Sequence, residues 1–321
     1  MLMVRKFAEG MAKQIRSYLP REYRDVECTV TEQQKNNGVI KTGLLLKMPD
    51  RNIAPVVYID SFYEQICRGE SMRKVTKEIA DACRQGLEMK ELPVNLNFLD
   101  YNSVKEYLSV QMINTKANQR MLSKVPHWKI ADLSVICRIE FQSPDGREKG
   151  NVTVTNEMMA IWGIRQEEVY QKALANAEQK SPPVLYGMDY LMCEILELTS
   201  KAKNLFESKD SVELSKETMY VLTNEKKLDG ASVLAYPSLQ TQLEAVFPNG
   251  CYLLPSSIHE LFIVPKEVGI TPKELGELVR DVNREAVSRE NVLSDRVYEF
   301  DKDGHLCQVL ESMKKEKEME R

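Results

Sequence analysis

The chain lacks long apolar runs, and none of its segments reaches the roughly 18 consecutive apolar residues that a membrane helix requires. A secretory leader is not expected either, because Glu9, Lys13 and Arg16 interrupt the apolar residues near the N terminus. The 43% hydrophobic and 29% charged residues are typical of a globular protein and exclude a collagenous or disordered chain. We therefore expect a soluble cytoplasmic protein with no membrane segment.

Cysteine and histidine are too few for a disulfide or metal framework. The seven cysteines form no Cys-x-x-Cys pair, and their odd number suits reduced, mostly buried thiols. The chain has three histidines, and four positions after His259, where a zinc protease carries its second histidine ligand, stands Ile263. We expect no metal site and no cofactor.

The motifs of nucleotide enzymes and serine hydrolases are also missing. Neither Gly-x-x-x-x-Gly-Lys-Ser/Thr nor Gly-x-Gly-x-x-Gly occurs, and there is no Gly-x-Ser-x-Gly turn. The 44 basic and 48 acidic residues give a net charge of -4, the opposite sign to that of a general nucleic-acid binder. Nucleic acid is therefore not an expected partner.

Residues 1–24 differ from this acidic balance, because they hold six Lys and Arg residues against two Glu residues. Apolar residues recur there every three to four positions, which predicts an amphipathic helix docked on the protein body. The alternative hypothesis is contact with an acidic partner. The apolar residues are Val4, Phe7, Met11, Ile15 and Leu19.

Hairpin signals outnumber strand-helix-strand alternation, which predicts an α+β fold. Asn37-Gly38 marks a hairpin turn, and Thr271-Pro272-Lys273-Glu274 has the pattern of a helix capping box. We expect two lobes, each an antiparallel sheet partly covered by helices. Their expected limits, with a charged tail after them, are 1–125, 126–310 and 311–321.

Individual elements can be predicted between these signals. Short strands are expected over 95–99 and 231–236, and a helix over 103–112. Asp60 is expected to cap a helix beginning near Ser61 by accepting its free amide protons.

The densest polar cluster in an apolar setting is Pro255-Ser256-Ser257-Ile258-His259-Glu260. A hydroxyl, an imidazole and a carboxylate are the groups of a nucleophilic triad, so Ser257, His259 and Glu260 are the candidate catalytic residues. On a strand, Ser257 and His259 would share a face and Glu260 would point away. The alternative interpretation is structural, with the serines in a hairpin turn and His259 bonded to nearby backbone.

A second polar concentration covers residues 283–296. Arginine side chains there would bind an anion or a carboxylate of a partner, and the alternative is a solvated loop with local caps. The candidate binding residues are Arg284, Arg289, Asp295 and Arg296.

Several segments carry a family resemblance between about residues 24 and 310, the most specific being Leu254-Pro255-Ser256-Ser257-Ile258-His259-Glu260. Others are Asn52–Ile59, Tyr220–Asn224 and Leu293–Asp295. Together they resemble an uncharacterised bacterial family, domain of unknown function 5688. The resemblance implies a cytoplasmic accessory protein of gut bacteria, often encoded near mobile elements, and implies no particular activity.

Two functions remain as hypotheses. The first is non-enzymatic binding of a protein or peptide, since no complete catalytic or cofactor constellation is present. The alternative is a small-molecule hydrolase or transferase that uses Ser257 and His259, with Glu260 or Asp295 as the acid.

Overall fold

The structure, a computed structural model, divides into two compact units, Met1–Asn95 with Phe141–Lys149 and Leu96–Glu140 with Gly150–Arg321. The expected boundary between residues 125 and 126 lies inside the second unit, and the expected charged tail, 311–321, lies outside the described residues. The structure describes residues 2–49, 51, 54–88, 96–142, 149–188, 204–207 and 219–309.

A three-stranded antiparallel sheet forms the centre of the first unit. Strands β1 (Glu27–Gln34) and β2 (Ile40–Lys47) form the predicted hairpin, and β3 (Val56–Tyr58) pairs with β2. The turn requires left-handed backbone at Asn37 and Gly38, with φ of 57° and 67°. Asparagine and glycine adopt this conformation at the lowest energetic cost, which is why the turn could be predicted from the sequence.

Three helices complete the first unit: α1 (Leu2–Gln14), α2 (Asp60–Cys67) and α3 (Met72–Glu88). The apolar stripe of α1 is buried at Ala8 and Met11, in one cluster with α3. The predicted docking of the N-terminal helix on its unit is thereby confirmed.

Asp60 does not cap α2, so this prediction was wrong. The helix begins at Asp60 itself, and its Oδ2 accepts the backbone N–H of Thr42 on β2 at 2.9 Å. The pairing of β2 with β3 ends at Tyr58, so the carboxylate supplies an acceptor beyond the last strand pair.

The second unit contains a four-stranded and a six-stranded antiparallel sheet. The smaller has the order β4-β6-β5, with β7 also paired to β6. Its strands are β4 (Leu108–Asn114), β5 (His127–Ile130), β6 (Leu133–Gln142) and β7 (Lys149–Thr153). The larger has the order β13-β12-β10-β11-β9-β8. Its strands are β8 (Pro183–Gly187), β9 (Tyr220–Asn224), β10 (Cys251–Leu254), β11 (Leu261–Pro265), β12 (Tyr298–Phe300) and β13 (Leu306–Gln308).

Helices pack against these sheets around one large apolar cluster, which confirms the α+β class. None of the helices among the described residues is long and apolar enough to cross a bilayer. The helices are α4 (Tyr101–Val104), α5 (Gln119–Leu122), α6 (Asn156–Trp162), α7 (Gln166–Lys180), α8 (Leu239–Val246) and α9 (Pro272–Glu285).

Three predicted elements of the second unit were wrong. Residues 96–100 form no strand, and the helix expected over 103–112 extends only to Tyr107, where a 3₁₀ helix, Lys105–Tyr107, follows α4 and leads into β4. β4 does show strand alternation, since apolar Leu108, Val110 and Met112 alternate with polar Ser109 and Gln111, and the expected helix was extended through this signal. The strand expected over 231–236 is a 3₁₀ helix, Gly230–Ala235, whose buried apolar run resembles a core strand.

The capping box of α9 is present as predicted. Thr271 Oγ1 accepts the N–H of Glu274 at 3.3 Å, and Glu274 Oε2 accepts the N–H of Thr271 at 2.9 Å. Hydrogen bonds from the side chain and backbone of Thr271 hold the pKa of Glu274 below its ordinary value. Behind the cap, Leu275 and Val279 fix the helix on the large sheet by packing with Leu254.

We expect Thr271→Ala to lower the free energy of unfolding by about 1 kcal/mol, because the cap hydroxyl is lost. Thr271→Ser keeps the acceptor oxygen and should stay close to the wild type. Denaturant unfolding followed by tryptophan fluorescence reports on the second unit, since both tryptophans, Trp128 and Trp162, lie there. Equal losses in the Ala and Ser variants would contradict the role of the hydroxyl.

Candidate functional site

The segment Pro255–Glu260 connects β10 to β11 and is not itself a strand. β10 ends at Leu254 and β11 begins at Leu261, so the predicted alternation of Ser257, His259 and Glu260 along a strand was wrong. Ser257 makes a single bridge with Val292. The prolyl residue explains the early end of β10, because Pro255 has no N–H to continue the ladder.

The hydroxyl of Ser257 belongs to a local turn. Ser257 is only 8% exposed, and its Oγ accepts the backbone N–H of His259 at 3.1 Å. In the part of the chain that the structure describes, no hydrogen bond joins this hydroxyl to the His259 ring. The contact is the serine turn of the structural interpretation.

His259 is held by backbone on both sides. Its Nδ1 accepts the N–H of Asp229 at 3.2 Å, which places the proton of the neutral ring on Nε2. Its carbonyl oxygen accepts the hydroxyl of Thr223 at 2.8 Å. Glu260 follows as a half-buried residue before β11. The catalytic role of Ser257, His259 and Glu260 stays a prediction. In the structure the Ser257 hydroxyl and the His259 imidazole each bond to a different backbone N–H group.

The two polar segments that the sequence identified separately lie side by side. Residues 255–258 pair with residues 291–294 through backbone hydrogen bonds of 2.8–2.9 Å. These bonds are Ile258 N–H to Asn291 O, Leu293 N–H to Ser256 O and Ser294 N–H to Pro255 O. The first segment therefore fixes the path of the second, from which Asp295 and Arg296 project.

A buried polar network lies behind His259. Asp229 is 6% exposed and has left-handed backbone, with φ of 51°. Its carboxylate accepts hydrogen bonds from Gln111 Nε2 at 2.7 Å and from Arg138 Nη1 at 2.9 Å. Sequence reasoning missed these residues, since the contacts join positions 118 and 91 residues apart.

Gly230 is required where this network meets the backbone. A Cβ atom there would overlap Thr223 Oγ1 and the carbonyl oxygen of His259, far inside van der Waals contact. The absence of a side chain at Gly230 thus permits the Thr223–His259 hydrogen bond.

A groove opens between α9, residues 295–297 before β12, and the C-terminal end of β13. It encloses a cavity of about 430 Å³ with apolar and charged walls. The apolar lining residues are Pro272, Gly276, Val297 and Val309. The polar lining residues are Arg280, Asp295, Arg296 and Gln308.

Arg296 is positioned across the groove by two acceptors. Its Nη1 donates to Gln308 Oε1 at 2.6 Å, and its Nε lies 3.5 Å from Asp132 Oδ2. Asp132 is itself oriented by the hydroxyl of Tyr298, 2.6 Å from Oδ1. Burial raises the pKa of Tyr298, so this hydroxyl remains a neutral donor. The Arg296 side chain is still 60% exposed, which leaves it accessible to a ligand.

The four predicted binding residues separate into two groups. Asp295 and Arg296 line the groove, and Asp295 Oδ1 accepts Nδ2 of Asn283 at 2.6 Å. Arg284 lies at the exposed end of α9, where it pairs with Asp281 at 2.7 Å. Arg289 is exposed in the following loop and does not line the groove.

Arg280 is a groove residue that sequence reasoning missed. It follows Pro272 and Gly276 at intervals of four on α9, so all three lie on one helix face. This spacing was a usable signal, but it becomes informative only once the helix face that meets the groove is known.

Fold and site define an α+β protein with an arginine-bearing groove beside the edge of an antiparallel sheet. The family model described as Family of unknown function (DUF5688) matches residues 4–302, and the chain belongs to this family. Neither a curated protein nor a solved structure matches the chain.

We expect Gly230→Ala to destabilise the second unit by about 3 kcal/mol, because the added methyl group would displace the Thr223–His259 contact. Gly163→Ala is the control, since its Cβ would meet open space and the cost is left-handed strain of about 1 kcal/mol. Tryptophan-monitored unfolding compares the two. A Gly230→Ala variant no less stable than Gly163→Ala would show that the network tolerates the methyl group.

Proposed function

We propose that the protein binds an extended acidic segment of a partner protein in the groove between α9 and the C-terminal end of β13, without catalysing a reaction on it. The observation that carries this proposal is the pair of arginines on opposite walls. Arg280 comes from the helix and Arg296 from the residues before β12, on either side of an apolar lining.

The position of β13 supports an extended ligand. Among the residues that the structure describes, β13 is the last strand in the order of the large sheet, and Gln308 and the following Val309 line the groove. A strand at the edge of a sheet presents backbone N–H and C=O groups that an added strand can pair with. Backbone pairing would supply affinity for an extended segment, while the groove would select its side chains.

The charges of the walls support an acidic ligand. Arginine binds carboxylates through two parallel N–H donors, a geometry that lysine cannot reproduce. Asp132 and Gln308 hold Arg296 in place before a ligand arrives, which reduces the ordering cost of binding. Asp295 is the acidic group of the lining, and its Oδ1 is occupied by Asn283.

We extend the proposal to a cytoplasmic accessory role in a bacterium, encoded near mobile elements. The bacterial setting is what the resemblance to domain of unknown function 5688 implies, and the family model matches residues 4–302. The six cysteines among the described residues are free thiols, as a reducing compartment would keep them. Burial raises the pKa of Cys83, Cys137 and Cys251 to about 12, so these thiols stay protonated and unreactive at neutral pH.

Fluorescence anisotropy with a labelled peptide of alternating Thr and Glu residues tests this function. We expect Arg280→Gln to weaken binding about tenfold, because a hydrogen bond to a charged group contributes about 1.5 kcal/mol or more. Arg284→Gln, on the same helix but outside the groove, is the matched control and should bind like the wild type.

A peptide of alternating Thr and Gln residues tests the charge preference. It should bind at least about tenfold more weakly than the Glu peptide, since it offers the arginines no carboxylate. Equal binding of the two peptides, or equal losses from Arg280→Gln and Arg284→Gln, would refute the proposed function.

A further inference from the structure

The turn between β12 and β13 clusters three side chains that can bind a metal ion, Asp301, Asp303 and His305, and a fourth, Cys307 of β13, contacts Asp301. They occupy alternate positions of the chain. The ligand atoms of Asp301, Asp303 and His305 all lie within 4.8 Å of one another. The Cys307 sulfur lies 3.5 Å from Asp301 Oδ2. The set therefore combines two carboxylates, an imidazole and a thiol.

The two carboxylate oxygens of Asp301 have different roles. Oδ1 shapes the turn by accepting the backbone N–H groups of Asp303 at 2.9 Å and of His305 at 2.8 Å. Gly304 completes the turn with left-handed backbone, at φ 84°. Oδ2 faces the other donors and lies 3.5 Å from both Cys307 Sγ and His305 Nδ1.

Two of these separations, both from Asp301 Oδ2, match edges of a zinc tetrahedron. Bonds of about 2.3 Å to sulfur and about 2.0 Å to oxygen or nitrogen place neighbouring sulfur and oxygen ligands about 3.5 Å apart. The same bond lengths place nitrogen and oxygen ligands about 3.3 Å apart. Both measured distances from Asp301 Oδ2 agree with these values to within a few tenths of an ångström.

We propose that Asp301, Asp303, His305 and Cys307 bind one Zn²⁺ ion that fixes the β12–β13 hairpin. Binding forms a bond between zinc and the Cys307 sulfur, and the thiol proton passes to solvent. Four protein ligands fill a tetrahedral site, which is the arrangement of structural zinc. Thiolate and imidazole ligands favour zinc over Ca²⁺ and Mg²⁺, which prefer oxygen.

The ion has an open route to the site. Asp303 and His305 are exposed, and the His305 side chain is 76% accessible. Closing the site requires the Cys307 side chain to rotate toward Asp303 and His305, because its sulfur lies outside their 4.8 Å cluster, whereas the Asp301 carboxylate is already fixed by backbone donors. The zinc proposal is independent of the peptide-binding proposal, because it concerns the turn and not the groove lining.

Titration of the reduced, metal-free protein with Co²⁺ tests the site, with Zn²⁺ as competitor. We expect one Co²⁺ per chain in tetrahedral coordination, seen as intense visible d–d bands with a thiolate charge-transfer band, all abolished by Zn²⁺. Cys307→Ser should abolish the charge-transfer band. Cys67→Ser, which removes an exposed thiol of the first unit, should leave it unchanged.

His305→Ala should weaken Co²⁺ binding more than about tenfold, since mutating even a residue that only supports a metal ligand lowers metal affinity 10–100-fold. Metal-free circular dichroism melting curves check that each variant is folded. The proposal is refuted if Co²⁺ does not bind stoichiometrically. It is equally refuted if the charge-transfer band survives in Cys307→Ser or if His305→Ala binds Co²⁺ like the wild type.

Discussion

The pairing of residues 255–258 with residues 291–294 is the interaction on which the groove depends. The two segments are separated by the whole of β11 and α9, yet hydrogen bonds of 2.8–2.9 Å place them together. Asp295 and Arg296 follow directly after the paired stretch, so their position relative to α9 is set by Ser256 and Pro255 carbonyl groups. The polar segment between β10 and β11 thus acts on the groove by holding its wall.

The same segment is anchored on its other side by buried polar groups. His259 accepts the N–H of Asp229, and the Asp229 carboxylate is neutralised by Arg138. Removing charges from water costs more than their attraction returns unless the remaining donors and acceptors are also satisfied. Here the carboxylate has a second donor in Gln111. Because these bonds are directional, they fix the backbone of the 3₁₀ helix that begins at Gly230.

Local features of the fold could be predicted from the sequence, because neighbouring residues determine them. The Asn37-Gly38 turn and the Thr271–Glu274 cap each depend on a few adjacent residues with special backbone or side-chain chemistry. Strand β4 was mistaken for helix although Leu108, Val110 and Met112 alternate with polar residues, because it follows a short helical segment without a break. The Asp60 contact was missed for another reason, since its partner Thr42 lies 18 positions earlier on a paired strand.

Only part of the candidate site could be predicted from the sequence, again because some of its residues are brought together by contacts between distant positions. Asp295 and Arg296 were identified as polar residues in a polar segment, whereas Arg280 becomes a site residue through the face of α9 that lines the groove. The four proposed zinc ligands were not identified from the sequence, because the search required repeated cysteine or histidine spacing.

In the β12–β13 turn the proposed donors differ in type, and Asp301, Asp303 and His305 lie close together because the chain reverses its direction at Gly304. Cys307 and Gln308 are consecutive on β13, and successive side chains of a strand point to opposite faces. Cys307 reaches Asp301 of the turn, whereas Gln308 reaches Arg296 of the groove. The three-residue strand β13 therefore contributes a side chain to the β12–β13 turn and another to the groove. Since so short a strand has few ladder bonds of its own, its position depends on these side-chain contacts at both of its faces.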